Sequence, residues 1–236
     1  MNSKQFTRSA VKWLGAAVGL ATATYATYVG VTWLRYGKAV NRRGEASDDL
    51  MDRFMPSYEV GDRHKIRVAA PAELTLSAAS EMDLEGCGIA RAIFKGREWI
   101  LNSKKETAPQ PRGLLEQTKA LGWGVLAEVP GREIVMGAVT KPWEANPVFR
   151  ALLPDEFAAF QEPGYVKIAW TLRADPMENG ESVFRTETRA IATDPAARKR
   201  FRRYWAFLSP GIIAIRFAML PVVKADAQRR AREVPA

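Results

Sequence analysis

The chain has 236 residues, enough for one domain with a real core and an appendage. Hydrophobic residues at 47% and charged residues at 26% are ordinary globular values and exclude wholesale disorder. A single cysteine, Cys87, excludes an internal disulfide, and a single histidine, His64, narrows the catalytic options.

The net charge of +9 is unevenly placed. Residues 1–45 hold seven basic groups against one acid, residues 195–236 hold ten against two, and the stretch between them carries −5. Basic ends on an acidic body suit an anionic membrane surface. Nucleic acid is not an expected partner, since no reader motif accompanies the charge.

The first element in chain order is Trp13–Leu34, 22 residues without a formal charge. As a helix it reaches about 33 Å, the thickness of a hydrocarbon core. Lys12 and Arg35 bracket it, and Trp13, Trp33 and Tyr36 lie where an aromatic belt sits. It reads as an uncleaved anchor rather than a signal peptide, whose apolar core is only about 7–15 residues. Four basic residues follow it (Arg35, Lys38, Arg42, Arg43) and three precede it (Lys4, Arg8, Lys12), which tilts the body toward the cytoplasmic side of a bacterial inner membrane. Gly15 and Gly19 form a GxxxG, a candidate homodimer face that the local abundance of small residues also produces by chance.

Residues 38–59 are polar and broken, as in a linker. His64–Val68 alternates as a strand, Pro71 opens a helix to about Ser80, and a second short helix is expected over Leu84–Phe94. A polar Pro-containing loop follows. Leu121–Val129 and Glu133–Thr140 form a hairpin around Pro130-Gly131-Arg132. Tyr165–Arg173 alternates, with Val166, Ile168, Trp170 and Leu172 on one face. After a turn at Glu178–Glu181, Ser182–Thr193 places Phe184, Thr186, Thr188 and Ala190 together. Arg185, Glu187 and Arg189 take the other face and read as a solvated ladder, or as an acid–base pair if that face lines a cavity.

Thr193-Asp194-Pro195 is a helix start, with Asp194 as N-cap. Within the following stretch, Trp205–Val223 carries one charge in 19 residues, Arg216. An arginine near the middle of a spanning helix costs about 2.5–3.5 kcal/mol on insertion scales. An apolar stripe from Phe201 to Val223 recurs at three- and four-residue steps. The segment therefore reads as a core helix, with a kink expected at Pro210, and not as a second span.

The signature KIRVAAPAE at 65–73, the antiparallel strands, and a last helix entered through TDPAARKRFRRYW at 193–205 resemble the START-like helix-grip superfamily (SRPBCC), which includes polyketide cyclases. The resemblance implies an α+β fold in which a curved antiparallel sheet wraps a long C-terminal helix. The organisation is then a transmembrane anchor (1–37), a linker (38–59) and a START-like domain (60–232). It also implies a cavity for a lipid or other hydrophobic small molecule, and a pocket rather than a reaction.

Trp170, Phe184, Thr186, Thr188, Trp205, Leu208 and Ile212 are the candidate ligand-binding wall, with plain core packing as the alternative. Arg198, Lys199, Arg202 and Arg203, with Arg200 between them, occupy the first turns of the last helix, where the dipole disfavours cations. Nearby acids or anionic lipid must compensate, which makes these residues candidates for a membrane surface. No nucleophile elbow, phosphate loop, dinucleotide fingerprint or zinc spacing is present, so no catalytic residue, metal or cofactor is expected. The alternative to ligand binding or transfer is a cyclase-, dehydratase- or hydrolase-like reaction in the same cavity.

Overall fold

The computed structural model describes residues 3–38, 48–83 and 111–233, with side chains from residue 13 onward. Cys87 and the expected helix at 84–94 lie outside the described residues. The chain begins with α1 (Ser3–Arg35), a short turn of helix α2 (Asp49–Asp52), β1 (Val60–Val68) and α3 (Ala72–Glu81). There follow α4 (Leu114–Ala120), β2 (Gly124–Val129), β3 (Glu133–Thr140), α5 (Pro154–Ala159), β4 (Val166–Pro176), β5 (Ser182–Ala192) and α6 (Pro195–Glu233). The five strands form one antiparallel sheet in the order β1-β5-β4-β3-β2. The fold is the α+β helix-grip: the curved sheet lies against the long α6, and α1 stands beside them as an apolar N-terminal helix.

Alternation along the strands sets the two faces of the sheet. Trp170 and Leu172 of β4, Phe184 of β5 and Met136 of β3 face α6 and pack with Leu220, Val223 and Ala227 and with Leu76 and Ala79 of α3. A second apolar group, Val60, Val166, Ala190 and Phe201, closes the other end of the same face. Asp194 caps α6: its carboxylate accepts from the backbone N–H of Ala196 and Ala197 at 2.7 and 3.0 Å and also from Gly164. These bonds hold its carboxyl below the ordinary value.

The helix continues through Pro210 and Pro221 instead of breaking. In the turn before Pro210, the carbonyl of Phe207 accepts a 2.7 Å bond from the Tyr25 hydroxyl of α1, and Ser209 Oγ lies 2.9 Å from the Tyr28 hydroxyl. Polar side chains of the neighbouring helix thus serve the turn where the proline removes a backbone donor.

The opposite face corrects one expectation. Glu187 and Arg189 are not a solvated ladder; both are buried. The stretch expected to be only a linker covers them, because Met51, Phe54 and Met55 pack on Val135, Val139 and Ala169. Arg189 donates to Glu187 at 2.7 Å, to the Met55 carbonyl at 2.8 Å and to Asp52, and Arg63 meets Glu187 at 2.6 Å. The charges under this cover are therefore paired, as buried charges must be.

Glu133 lies on this face next to Asp48, with Thr171 Oγ1 3.2 Å away and Arg173 at 3.7 Å. Burial first, and then the bond to and charge of Asp48, push the Glu133 carboxyl up from 4.5 to about 7. The native state keeps a proton there that the unfolded chain has lost. Its contribution to stability is therefore present below pH 4.5 and disappears as pH rises through 7. Glu133→Gln should flatten the fall in thermal stability between those pH values and should stabilise the protein at pH 8, on the order of 1–2 kcal/mol. Melting curves of both proteins at several pH values test this; an unchanged pH dependence would reject the assignment.

Candidate functional site

Between the two apolar groups on the α6 face the lining becomes polar. Arg216 is the only charge in the apolar part of α6, and its guanidinium turns onto the sheet. It donates to Thr186 Oγ1 at 3.1 Å and to Thr188 Oγ1, and its Nε lies 3.5 Å from Asp62 Oδ2. The same Asp62 oxygen is 3.0 Å from His64 Nε2. The His64 ring meets Phe217 edge-on, with centroids 4.4 Å apart.

Register explains the convergence. Asp62 pairs with Thr188 and His64 with Thr186 across the β1–β5 ladder, so all four side chains share the face that α6 crosses. Burial pushes the Arg216 guanidinium down from its ordinary value and Asp62 opposes that shift. No other carboxylate is ion-paired with Arg216 among the described residues.

The middle of the helix is only partly covered where it crosses this cluster. From Pro210 to Met219 no residue of α6 is fully buried, although Ser209 before and Leu220 after are. Mid-helix apolar side chains such as Ile212 and Ile215 are thus only half covered. The arrangement can offer hydrogen-bond donors from a fixed cation, acceptors from Asp62, and a His–Asp pair able to pass a proton, all beside an apolar wall.

The residues expected to line a pocket divide among four environments. Thr186 and Thr188 are in the polar cluster, bonded to Arg216. Trp170 and Phe184 are buried in the main core, and Trp170 meets Trp123 edge-on at 6.2 Å. Trp205 packs with the Val60 and Phe201 group. Leu208 and Ile212 are half-buried on α6. Asp62, His64, Arg216 and Trp123 were not among the expected site residues, and Glu187 and Arg189 lie across the sheet from the cluster. Alternation already put Asp62 and His64 on the face of Ile66 and Val68, a signal that sequence reading could have used.

The basic run divides too. Arg198 pairs with Glu59, and Arg200 lies over the Trp143 ring at 6.0 Å. Arg202 donates to the Trp33 carbonyl at 2.9 and 2.6 Å and covers the Trp33 ring at 4.4 Å. That carbonyl is one of the last four of α1, which have no partner within their own helix, so Arg202 caps α1 from outside. Tyr36 adds a 2.6 Å bond to Glu59.

No protein-family model and no curated protein matches this chain. Solved structures do match. A hypothetical protein from Helicobacter pylori aligns over 75% of this chain and 93% of its own, at 6% identity and a TM-score of 0.37. The di-domain ARO/CYC StfQ from the steffimycin biosynthetic pathway aligns over 73% of this chain and 52% of its own, at 14% identity and a TM-score of 0.33. The Zhui aromatase/cyclase from Streptomyces sp. R1128 aligns over 72% and 94%, at 14% identity and a TM-score of 0.29.

Arg216→Ala should destabilise the protein by about 3 kcal/mol, because it strips Asp62 of its cation and leaves two buried hydroxyls short of a donor. Asp62→Asn in the same chain should recover part of that loss, since the two residues are in contact. Chemical denaturation of the full chain in detergent measures both. Losses that simply add would contradict the pairing.

Proposed function

We propose that this protein is a membrane-tethered helix-grip domain that binds, and passes on, a hydrophobic small molecule or lipid between α6 and the sheet. The observation that carries the proposal is the half-covered apolar middle of α6 lying over a polar cluster centred on Arg216. An apolar body would lie along Ile212 and Ile215, and an acceptor at its end would meet the guanidinium. Polar groups that fix one end of a largely apolar ligand are the usual economy of such sites.

The tether is part of the same proposal. α1 has a 23-residue stretch, Trp13–Arg35, apolar and long enough to cross a membrane. Trp13, Leu14, Val18 and Leu20 are between 64% and 77% exposed, so the body does not cover it. α6 is also long and apolar enough by composition, but its one central charge is bonded to the sheet. Anchoring would hold the domain at the bilayer from which an apolar ligand comes, raising its effective concentration there.

A second reading, a cyclase- or dehydratase-like reaction in the same place, is favoured by the His64–Asp62 pair. A proton donor or acceptor beside an apolar wall is what such chemistry requires.

Native mass spectrometry of the full chain released from membranes tests the first reading. We expect a discrete apolar adduct that Ile212→Trp, which adds bulk to the half-buried middle of α6, reduces at least tenfold. An adduct-free protein across a panel of lipids, sterols and polyketides would overturn it. Turnover of a panel member that His64→Asn abolishes while binding persists would establish the second reading instead.

A further inference from the structure

A groove of about 660 Å³ lies outside the grip, between α1 and the start of α6. Val29, Gly30, Trp33 and Leu34 form one wall, and Lys199, Arg203 and Phe207 form the other. Leu34 and Phe207 are 67% and 47% exposed, so its apolar floor is open to whatever surrounds the helices. Two cations at the edge of an apolar trough need explanation.

The division of the basic run supplies it. Arg198, Arg200 and Arg202 are taken up by Glu59, Trp143 and the end of α1. Lys199 and Arg203, one helical turn apart, have no ion pair or hydrogen bond among the described residues, and both face the groove. Their natural counter-charge is an anion outside the protein.

We propose that the groove is a binding site for a single anionic membrane lipid. An acyl chain lies along Val29, Gly30 and Phe207, and Lys199 and Arg203 hold the headgroup phosphate. The depth fits. The α1 lining falls within its last two turns, roughly 8 Å of helix rise, where a spanning helix leaves the hydrocarbon for the headgroups. The trough is open at Gly30, where an added Cβ would meet nothing within 4 Å. This site is separate from the grip interior, and it rests on α1 being a membrane span.

The test uses the full chain in nanodiscs of mixed phosphatidylglycerol and phosphatidylcholine, then native mass spectrometry after gentle delipidation. One phosphatidylglycerol should persist on the wild-type protein. Lys199→Gln with Arg203→Gln should weaken its retention about 10- to 30-fold, the effect of two basic contacts near an anionic surface. Gly30→Leu leaves every charge in place and fills the trough, and it should lower retention to a similar degree.

Loss in the charge variant alone, with Gly30→Leu unaffected, would mean diffuse surface attraction and would overturn the site. Equal retention of phosphatidylcholine, or no retained lipid, would overturn it as well. Alkaline carbonate extraction of the same samples reads the tether separately. Protein released by carbonate would refute the span, while loss of lipid from protein that stays in the pellet would refute only the groove. Ile212→Trp should leave this lipid in place, which keeps the two sites distinguishable.

Discussion

A guanidinium set among 18 uncharged residues cannot be left without partners, and where it finds them decides what the segment around it is. In Trp205–Val223 the partners of Arg216 are two threonines of β5 and one aspartate of β1, all on the sheet. A helix tied in this way at its centre lies across a sheet. The same apolar composition without such a charge, in Trp13–Leu34, meets no sheet and stays bare along most of its length. Two helices that hydropathy alone treats alike are separated by one side chain and its register partners.

The rest of the molecule follows from that placement. With α6 across the β1–β5 pair, alternation sends Thr186, Thr188, Asp62 and His64 inward and Arg185, Glu187 and Arg189 outward. Glu187 and Arg189 are then covered by the segment before β1 and must pair, so that part of the face became a network of ion pairs beneath α2 rather than a wet surface. The first turns of α6 emerge beside the end of α1. One arginine is spent capping that helix, while two neighbouring cations are left facing the groove.

Much of the architecture was legible in the sequence because periodicity is a property of the backbone. The 121–140 hairpin, the alternation of β4 and β5, the Asp194 cap and the long C-terminal helix all came from spacing and capping chemistry, and all are present. Exposure was harder to read. Glu187 and Arg189 carry the charge pattern of a solvated ladder, and only the three-dimensional return of Met51–Met55 buries them. A polar, broken stretch gives no local sign that it will fold back as a cover. His64 falls in the expected strand and Asp62 just before it, and neither position signals a site, since the significance of both depends on Arg216, more than 150 residues later. Proline at 210 predicted a kink from backbone chemistry, whereas the hydroxyls of Tyr25 and Tyr28 belong to another helix and could not be anticipated locally.

The central claim is that one apolar helix meets lipid and the other meets the sheet. A carbene-generating lipid probe, photolysed in vesicles holding the full chain and mapped by peptide mass spectrometry, addresses it directly. The account predicts labelling along Trp13–Leu34 and on the groove-facing side chains near Phe207, with the exposed Phe217 and Val222 of α6 unlabelled. Labelling of Phe217 and Val222 as heavy as that of Trp13–Leu34 would place the middle of α6 in the bilayer and contradict the account.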